Sequence, residues 1–329
     1  MQIDSPDRRL IHRAALAALG AAALPSAHAQ AWPTKPIRIF CGFAPGGTTD
    51  PYARMLGDYM SQKLGVPVVV ENRVGAGGFI SLEALSRAAP DGYTIGITTS
   101  TSVWGSRALY RKLPFDADKD FTPITLLPVG PLLMAVATDS PARTVKEWVE
   151  IAKTKPTSMA SYGQASVPHL ACADFNARFG TKIEVIHYKG EGPMWIDVVS
   201  GVVQGGIGSY VALSPHLAKG TVRVLATVGS EKSPKLPQAT SFVSQGFEGQ
   251  VFKLDGCLAM LAPTGTPADI VKRMGDLFVE AADSPKGLAL REAFAIDAKP
   301  TTTAVAQQRW RDESPIWIRL TEQTGIKLD

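Results

Sequence analysis

Two glycine-rich turns stand where strand-like segments give way to helical patterns. The first, FAPGGTTD (43–50), lies between the apolar IRIFCGF and the amphipathic PYARMLGDYMSQKL, and the second, GAGG (75–78), follows VPVVVEN. A glycine turn at the start of a helix exposes backbone N–H groups at the positive end of the helix dipole. The chemistry that these turns predict is therefore the binding of an anion.

Neither turn fits a phosphate-binding motif. A P-loop requires G-x-x-x-x-G-K-[ST], and no Lys-Ser/Thr pair follows either turn. A dinucleotide fingerprint requires G-x-G-x-x-G, which Gly75 and Gly77 begin correctly, but Ile80 takes the place of the third glycine. The glycines of the first turn have the wrong spacing. Nucleotide binding is therefore disfavoured.

The loops after the other predicted strands have the same character. They are rich in glycine and hydroxyl groups and nearly free of carboxylates, with Asp50 and Glu191 as the exceptions. Ligands of open parallel sheets bind at the carboxyl ends of the strands, where such loops meet. The loops are FAPGGTTD (43–50), RVGAGG (73–78), TTSTS (98–102), GQASVPH (163–169), YKGEGP (188–193) and IGS (207–209).

The sequence predicts no catalytic, metal or cofactor site. It contains neither a G-x-S-x-G elbow nor an H-E-x-x-H motif, and its histidines lack a second ligand at metal spacing. Ser166 and His169 lie three residues apart, and Asp174 or Asp197 could complete a triad on paper. However, Ser-x-x-His at the start of a helix is more often a capping serine followed by a helix histidine.

The composition indicates a globular protein rather than a nucleic-acid binder. The 329 residues suffice for two domains, and the 45% hydrophobic and 19% charged content is ordinary. The net charge of +4 is small, and no basic stripe with interleaved aromatic residues is present. No nucleic-acid partner is expected, and the protein is expected to be a monomer.

The first 29 residues are predicted to be a signal peptide. DRRLIHR supplies a basic region, AALAALGAAALPSA a short apolar one, and AHA a cleavage site near Ala29. The Arg8-Arg9 pair leaves the twin-arginine route open beside the general secretory one. The mature protein is expected in the periplasm.

Three cysteines lie in apolar runs, at Cys41, Cys172 and Cys257. An odd number at wide spacing does not form a disulfide framework, so buried small hydrophobes are the favoured interpretation. A bridge between Cys41 and Cys257 stays open if their strands are neighbours.

Predicted strands and helices alternate over the first part of the chain, and the alternation restarts at LLMAVATD. This pattern favours parallel sheets with helices on their faces. FTPITLLPVGPLLMAVA would cross from one half to the other, and the chain would return near GQVFKLDGCLAML. Asp50 is expected as the N-cap of a helix over residues 51–64, with Pro51 at its first position.

Several segments, in order along the chain, resemble one family. They are WPTKPIRIFCGFAPGGTTDPYARMLGDYMSQKLGVPVVVENRVGAGG, AAPDGYTIGITTS, ALYRKLPFDADKDFTPITLL, PHLACADF, HYKGEGP, VRVLATVGSEKSPKLPQ and LAPTGTPADIVKRM. The chain is similar in them to the periplasmic solute-binding receptors of tripartite tricarboxylate transporters, the Bug receptors. The resemblance implies a type II periplasmic-binding-protein fold, in which two α/β lobes joined by two crossing strands enclose a ligand cleft. Lobe 1 would hold residues 30–130 and 256–329, and lobe 2 residues 131–255.

The resemblance also implies a function. The receptor would capture a small organic carboxylate between its lobes for uptake by membrane transporter subunits, without making or breaking a bond. The alternative is an extracytoplasmic ligand sensor that feeds a signalling partner through the same site. A hydrolase built around Ser166 and His169 is a distant third hypothesis.

The expected ligand-binding residues combine the glycine turns with the loops that match the family. The family's second-lobe loop usually reads S-A-G-x-G-S-x-x-H-L, carried here by Ser161, Gly163, Ser166 and His169. The whole expected set is Phe43, Ala44, Pro45, Gly46, Gly47, Thr48, Thr49, Asp50, Thr99, Ser100, Thr101, Ser161, Gly163, Ser166, His169, Lys189, Gly208 and Ser209.

The chain departs from the family pattern in its second half. Family members commonly read G-G-Q-V-D-x-x-F-D, and here Gln204 and Gly208 replace the two acidic positions. The second of those aspartates is expected near the ligand, where it could meet an ammonium group. Its loss disfavours an amino-acid ligand, and Gly208 is expected to leave room for a bulkier or aromatic carboxylate.

Overall fold

The computed structural model describes residues 32–45, 47–229, 235–253, 256–296, 298–323, 325 and 327, without the side chains of Thr101 and Ser106. The expected signal peptide, its cleavage site and Gly46 lie outside this part of the chain. No helix among the described residues combines the length and hydropathy needed to cross a membrane.

Strands and helices alternate through most of the chain. The strands are β1 (Ile37–Cys41), β2 (Val68–Asn72), β3 (Thr94–Thr99), β4 (Phe121–Pro128), β5 (Leu132–Ala137), β6 (Ser158–Ser161), β7 (Glu184–His187), β8 (Gly206–Ser209), β9 (Val222–Thr227) and β10 (Cys257–Pro263). The helices are α1 (Thr49–Leu64), α2 (Phe79–Ser86), α3 (Ser100–Leu109), α4 (Val145–Thr154), α5 (Val167–Phe179), α6 (Glu191–Val199), α7 (Tyr210–Ala218), α8 (Ala268–Ala281), α9 (Pro285–Phe294) and α10 (Thr303–Glu322).

The strands form two five-stranded sheets, with the orders β2-β1-β3-β10-β4 and β7-β6-β8-β5-β9. The chain passes from the first sheet to the second between Pro128 and Leu132, and it returns between Thr227 and Cys257. Both sheets carry helices, so the predicted two-lobed α/β fold is confirmed. The first lobe is the part built on the first sheet, and the second lobe is the part built on the second sheet.

The sheets are mixed rather than parallel. Strand β1 pairs in parallel with β2 and β3, as the alternation predicts, but β10 runs antiparallel to both β3 and β4. In the second sheet β5 runs antiparallel to β8 and β9. The prediction of parallel sheets is wrong for β5 and β10 because each enters its sheet directly from a crossing between the lobes, not through a local helix crossover.

Apolar strands form the centre of each lobe. Ile37 and Ile39 of β1 are fully buried, and every residue of β5 is buried, as expected for strands covered on both faces. Cys41, Cys172 and Cys257 are buried and free, so the small-hydrophobe interpretation is confirmed. Strand β3 separates the strands of Cys41 and Cys257, which explains why the two do not pair.

Aromatic rings fill the space under the helices. Trp104 of α3 is fully buried, stacks on Trp317 and meets Trp310 edge-on, so it belongs to the core and not to a pocket rim. Phe175 of α5 lies in a group of rings in the second lobe, where Phe242 stacks on Phe252. These contacts fix the helices that begin at the cleft.

Gly130, in the first crossing, is packed against the end of α9. A Cβ atom added there would lie 1.9 Å from the Phe294 carbonyl oxygen, a contact that only a backbone shift can relieve. We expect Gly130→Ala to lower the free energy of unfolding by about 3 kcal/mol, since overpacking against backbone is strongly unfavourable. Urea denaturation measures the loss.

The matched control is Gly256→Ala in the returning segment, where an added Cβ meets nothing within 4 Å. It should unfold at nearly the urea concentration of the unchanged protein. Equal midpoints for the two variants would contradict the assigned packing of the first crossing.

Candidate functional site

The loops at the strand ends of the two sheets face one another across a cavity of about 50 Å³. Its walls combine backbone and hydroxyl groups with apolar side chains. The lining residues are Phe43, Ala44, Gly47, Thr48, Thr49, Thr99, Val129, Leu132, Tyr162, Val167, Gly190, Glu191, Gly256, Cys257 and Leu258.

Among the described residues, the N-termini of three helices lie at this cavity. Thr49 begins α1, and Val167 and Glu191 begin α5 and α6. The first N–H groups of each helix lack partners within the helix and carry the positive end of its dipole. The cavity therefore presents several donors to a negatively charged group.

The two lobes touch directly beside the cavity. The Ala44 N–H donates to the Lys189 carbonyl oxygen at 3.3 Å, and the Tyr110 hydroxyl donates to Gln164 Oε1. Gly163 lies so close to Gly77 that an added Cβ atom would come within 2.9 Å of the Gly77 Cα. The backbones can approach this closely only because these positions lack side chains. The conformation is therefore closed.

Asp50 holds the first glycine turn but does not cap the helix. Thr48 is the N-cap of α1, and Asp50 lies inside the first turn, 5% exposed. Its carboxylate accepts from Arg54 Nε and Nη2 at 2.9 and 3.0 Å and from Asn72 Nδ2 at 2.8 Å. The prediction of an Asp50 N-cap is wrong because a cation one helical turn later and an amide from β2 bind the carboxylate instead.

Asn72 connects this carboxylate to the turn itself. Its Nδ2 also donates to the Phe43 carbonyl oxygen at 2.9 Å. The end of β1, the start of α1 and the end of β2 are thereby joined in one hydrogen-bonded group. Within the turn, Phe43, Ala44, Gly47, Thr48 and Thr49 line the cavity.

Of the residues at the end of β3 and the start of α3, some line the cavity and others are buried in the protein interior. Thr99 lines the cavity, and its hydroxyl exchanges hydrogen bonds with the side chain and N–H of Ser102 at 2.6 and 3.2 Å. Ser100 is fully buried and its Oγ accepts from the Cys257 N–H at 3.2 Å, which ties α3 to β10. Thr101 lies in the first turn of α3.

Ser161, Ser166 and His169 of the second lobe form a separate buried cluster. The Ser166 hydroxyl donates to the Gly163 carbonyl oxygen at 2.6 Å and lies 2.8 Å from Ser161 Oγ. His169 Nδ1 accepts from the Ala165 N–H at 3.1 Å, and its ring meets that of His187 at 4.9 Å. These bonds explain the family-like loop as a scaffold for the start of α5.

A catalytic triad is not formed in this cluster. The Ser166 hydroxyl bonds to backbone and to Ser161 rather than to His169. Asp174 binds Arg178, and Asp197 binds the Tyr188 hydroxyl. Among the residues that the structure describes, no group of His, Cys, Asp and Glu could hold a metal ion.

A second cavity, of about 130 Å³, lies where the GAGG turn meets the second lobe. Gly163 and Lys189 line it together with Gly75–Gly78. Lys189 is exposed and contributes its carbonyl oxygen to the contact between the lobes. The expected residues that the structure places outside the first cavity are Pro45, Asp50, Ser100, Ser161, Gly163, Ser166, His169, Lys189, Gly208 and Ser209.

Gly208 does not leave room beside the cavity. An added Cβ atom would lie 2.9 Å from Trp195 Cζ2, 3.0 Å from Met194 Cε and 3.1 Å from Glu191 Oε2. The prediction of a widened site is therefore wrong, because side chains of α6 fill the space. Gly208 and Ser209 belong to β8 rather than to a loop after it.

Among the described lining residues, Glu191 is the charged one that the expected set lacks. Its Oε2 accepts from the Ser209 N–H at 2.8 Å and from the Ser209 hydroxyl at 2.5 Å. The side chain also lies against Gly47 of the first lobe, where an added Cβ would be 3.8 Å from Glu191 Cδ. The signal for it was present in the sequence, since Glu191 is one of two carboxylates in loops otherwise nearly free of them.

Burial raises the pKa of the Glu191 carboxyl, and the two bonds from Ser209 oppose this shift. Burial, and then the nearby Glu191, also raise the pKa of the Tyr162 phenol, which therefore stays protonated. The net rise in the pKa of Glu191 shows that the closed conformation holds its ionised carboxylate unfavourably.

Replacing Glu191 should stabilise the ligand-free protein at neutral pH. Its folded-state pKa lies above the usual 4.5, so its ionisation lowers stability as the pH rises through the folded-state value. We expect Glu191→Gln to melt at a higher temperature than the unchanged protein at pH 7.5, and the difference to shrink towards pH 4. Thermal unfolding followed by circular dichroism measures both.

The control variant is Glu184→Gln, which removes an exposed carboxylate at the far end of β7. It should leave the melting temperature unchanged both at pH 7.5 and near pH 4. A destabilised Glu191→Gln at pH 7.5 would refute the unfavourable burial of this charge.

His169 predicts a loss of stability in acid. Burial, and then the neighbouring His187, lower the pKa of His169 from 6.5 to about 4. Between these two pH values the unfolded chain binds more protons, so stability falls as the pH drops from 6.5 towards 4. His169→Asn keeps an acceptor for the Ala165 N–H and should lose less stability over this interval, as urea denaturation at pH 7, 5.5 and 4.5 can test. An equally steep loss in the variant would assign the effect to other groups.

Two α/β lobes closed on a donor-lined cavity define the class of two-lobed solute-binding receptors. The sequence profile of the tripartite tricarboxylate transporter family receptors matches residues 52–325. The chain belongs to this family, which is a family of binding receptors and not of enzymes.

Relatives of known name and structure agree with this assignment. The protein BugT of Bordetella pertussis is 32% identical over 306 residues, which cover 91% of this chain and 92% of BugT. An R. palustris protein solved with adipate is 28% identical with a TM-score of 0.82, over 90% of this chain and all of that one. MatC from Rhodopseudomonas palustris, solved with bound malate, is 27% identical with a TM-score of 0.79, over 88% of this chain and all of MatC.

Proposed function

We propose that this receptor captures a small organic carboxylate between its lobes in the periplasm and delivers it to the membrane subunits of a tripartite transporter. The observation that carries the proposal is the closed cavity between the lobes, surrounded by helix starts and lined by hydroxyl and backbone donors. Such groups stabilise a carboxylate without a basic side chain. The malate and adipate bound by two relatives support the same ligand class.

The first lobe supplies the main anion contacts in this proposal. Gly47, Thr48 and Thr49 lie at the start of α1, and Thr99 of the same lobe also lines the cavity. Lobe 1 comprises residues 30–130 and 256–329, and lobe 2 comprises residues 131–255. A ligand that contacts both lobes stabilises the closed state over the open one. The receptor acts as a monomer, and the leader before residue 30 is removed on export.

A thermal-shift screen of the purified protein tests the ligand class. Dicarboxylates, tricarboxylates, aromatic acids and amino acids are each titrated, with matched neutral amides as controls. Since a ligand of the folded state stabilises it by RT ln(1 + [L]/Kd), the transition of a true ligand rises with concentration. We expect carboxylates, and not their amides, to raise the transition. A set of carboxylates with no effect at millimolar concentration would refute the proposal.

Thr48 provides a sharper test of the anion contacts. It lines the cavity, is 6% exposed, and its side chain does not cap α1, which leaves the hydroxyl to the cavity. Thr48→Val removes the hydroxyl at nearly constant volume. Because a hydrogen bond to a charged group contributes about 1.5–3 kcal/mol, we expect the affinity for the best carboxylate to fall at least about tenfold.

Isothermal titration calorimetry compares this variant with Thr154→Val, which removes an exposed hydroxyl at the end of α4. The control should bind as the unchanged protein does. If Thr48→Val also bound with unchanged affinity, the ligand carboxylate would not lie at the start of α1.

A further inference from the structure

Glu191 gives the cavity a charge that a simple carboxylate site would avoid. Among the described residues that line the cavity, Glu191 is the one acidic side chain, and neither lysine nor arginine lines it. A ligand carboxylate at the start of α1 would lie beside the Glu191 side chain, since that side chain packs against Gly47. Two carboxylates a few ångströms apart in a partly desolvated site repel each other.

The described hydrogen bonds of the Glu191 carboxylate use only one of its two oxygens. Both hydrogen bonds from Ser209 go to Oε2, and the described hydrogen bonds do not use Oε1. The carboxylate lies in the first turn of α6 and next to Ser209, the N-cap of α7, so two helix starts favour its ionised form. An ionised carboxylate accepts hydrogen bonds and donates none. Oε1 can therefore accept a hydrogen bond from a donor on the ligand.

We propose that Glu191 selects ligand carboxylates that also carry an ammonium group and binds that ammonium group through Oε1. This inference rests on the proposed function. The ammonium group neutralises Glu191, while the ligand carboxylate meets the start of α1. Because Gly47 and Glu191 are in contact, the two charged groups of the ligand must be near neighbours, as they are in an α-amino acid. Phe43, Val129 and Leu132 supply apolar walls for the remainder of the ligand.

This assignment reverses the expectation drawn from Gly208. The sequence lacks a carboxylate at position 208, which disfavoured an amino-acid ligand. In the structure, Glu191 Oε2 lies 3.1 Å from the point where a Cβ atom of residue 208 would be. A carboxylate therefore reaches the same place from the start of α6.

Matched pairs of ligands test the assignment. Each proteinogenic L-amino acid is compared with the acid that lacks only its α-ammonium group, for example L-leucine with 4-methylpentanoate, by thermal shift and then calorimetry on the purified chain. We expect the tightest ligand to be an amino acid and to bind at least about tenfold more tightly than its partner, since a close and partly buried charge pair commonly contributes that much.

The Glu191→Gln variant assigns the preference to this residue. It should weaken the best amino acid at least about tenfold while leaving the acid without ammonium equal or tighter, because the repulsion is removed. Glu184→Gln, which neutralises an exposed carboxylate of the same lobe, should change neither affinity.

The remaining outcomes distinguish a failure of this inference from a failure of the proposed function. Acids without ammonium that bind as well as the amino acids at neutral pH would overturn the role of Glu191 and leave the proposed function standing. Amino-acid binding that survives in Glu191→Gln would do the same. If no member of either class bound, the proposed function would fall together with the inference.

Discussion

The cleft depends on the carboxylate of Asp50 and its bonds to Arg54 and Asn72. These bonds hold the glycine turn between β1 and α1, and Asn72 extends them to the Phe43 carbonyl oxygen. The middle of the turn, residues 44–47, reads Ala-Pro-Gly-Gly and has little side chain to pack. A charge-assisted group within the first lobe therefore gives the start of α1 the fixed direction that binding an anion needs, and pre-organisation of this kind reduces the entropy lost on binding.

The second lobe contacts the first lobe through backbone atoms more than through side chains. Gly163 meets Gly77 at a separation that leaves no space for a side chain, and Gly190 lies against Ala44, where an added Cβ would be 3.6 Å from the Ala44 Cβ. Close packing of this kind is specific in shape but contributes little buried apolar area, so it favours closure only weakly by itself. The half-buried Glu191 charge acts in the opposite direction. A ligand that neutralises this charge can therefore contribute a large share of the free energy of closure.

Local features of the site could be predicted from the sequence, and long-range ones could not. FAPGGTTD was recognisable as a turn between a strand and a helix because strand, glycine and helix signals follow one another directly. The partners of Asp50 depend on Asn72 of another strand, and the neighbours of Gly208 depend on α6, which packs against it from earlier in the chain. The direction of β10 also depends on where the chain re-enters the first sheet. None of these relations leaves a periodic pattern in the residues concerned.

The position of β10 has a consequence for the order in which the chain can fold. Strand β4 joins the first sheet through β10, which lies between it and β3. The strands of the second sheet, in contrast, come from one continuous segment between Leu132 and Thr227. As the chain emerges from its amino end, the second sheet can complete its hydrogen bonding while the first still lacks a central strand. The glycine turn at the start of α1 therefore belongs to the lobe that is finished last, and the long-range strand pairing of that lobe is the slower of the two to form.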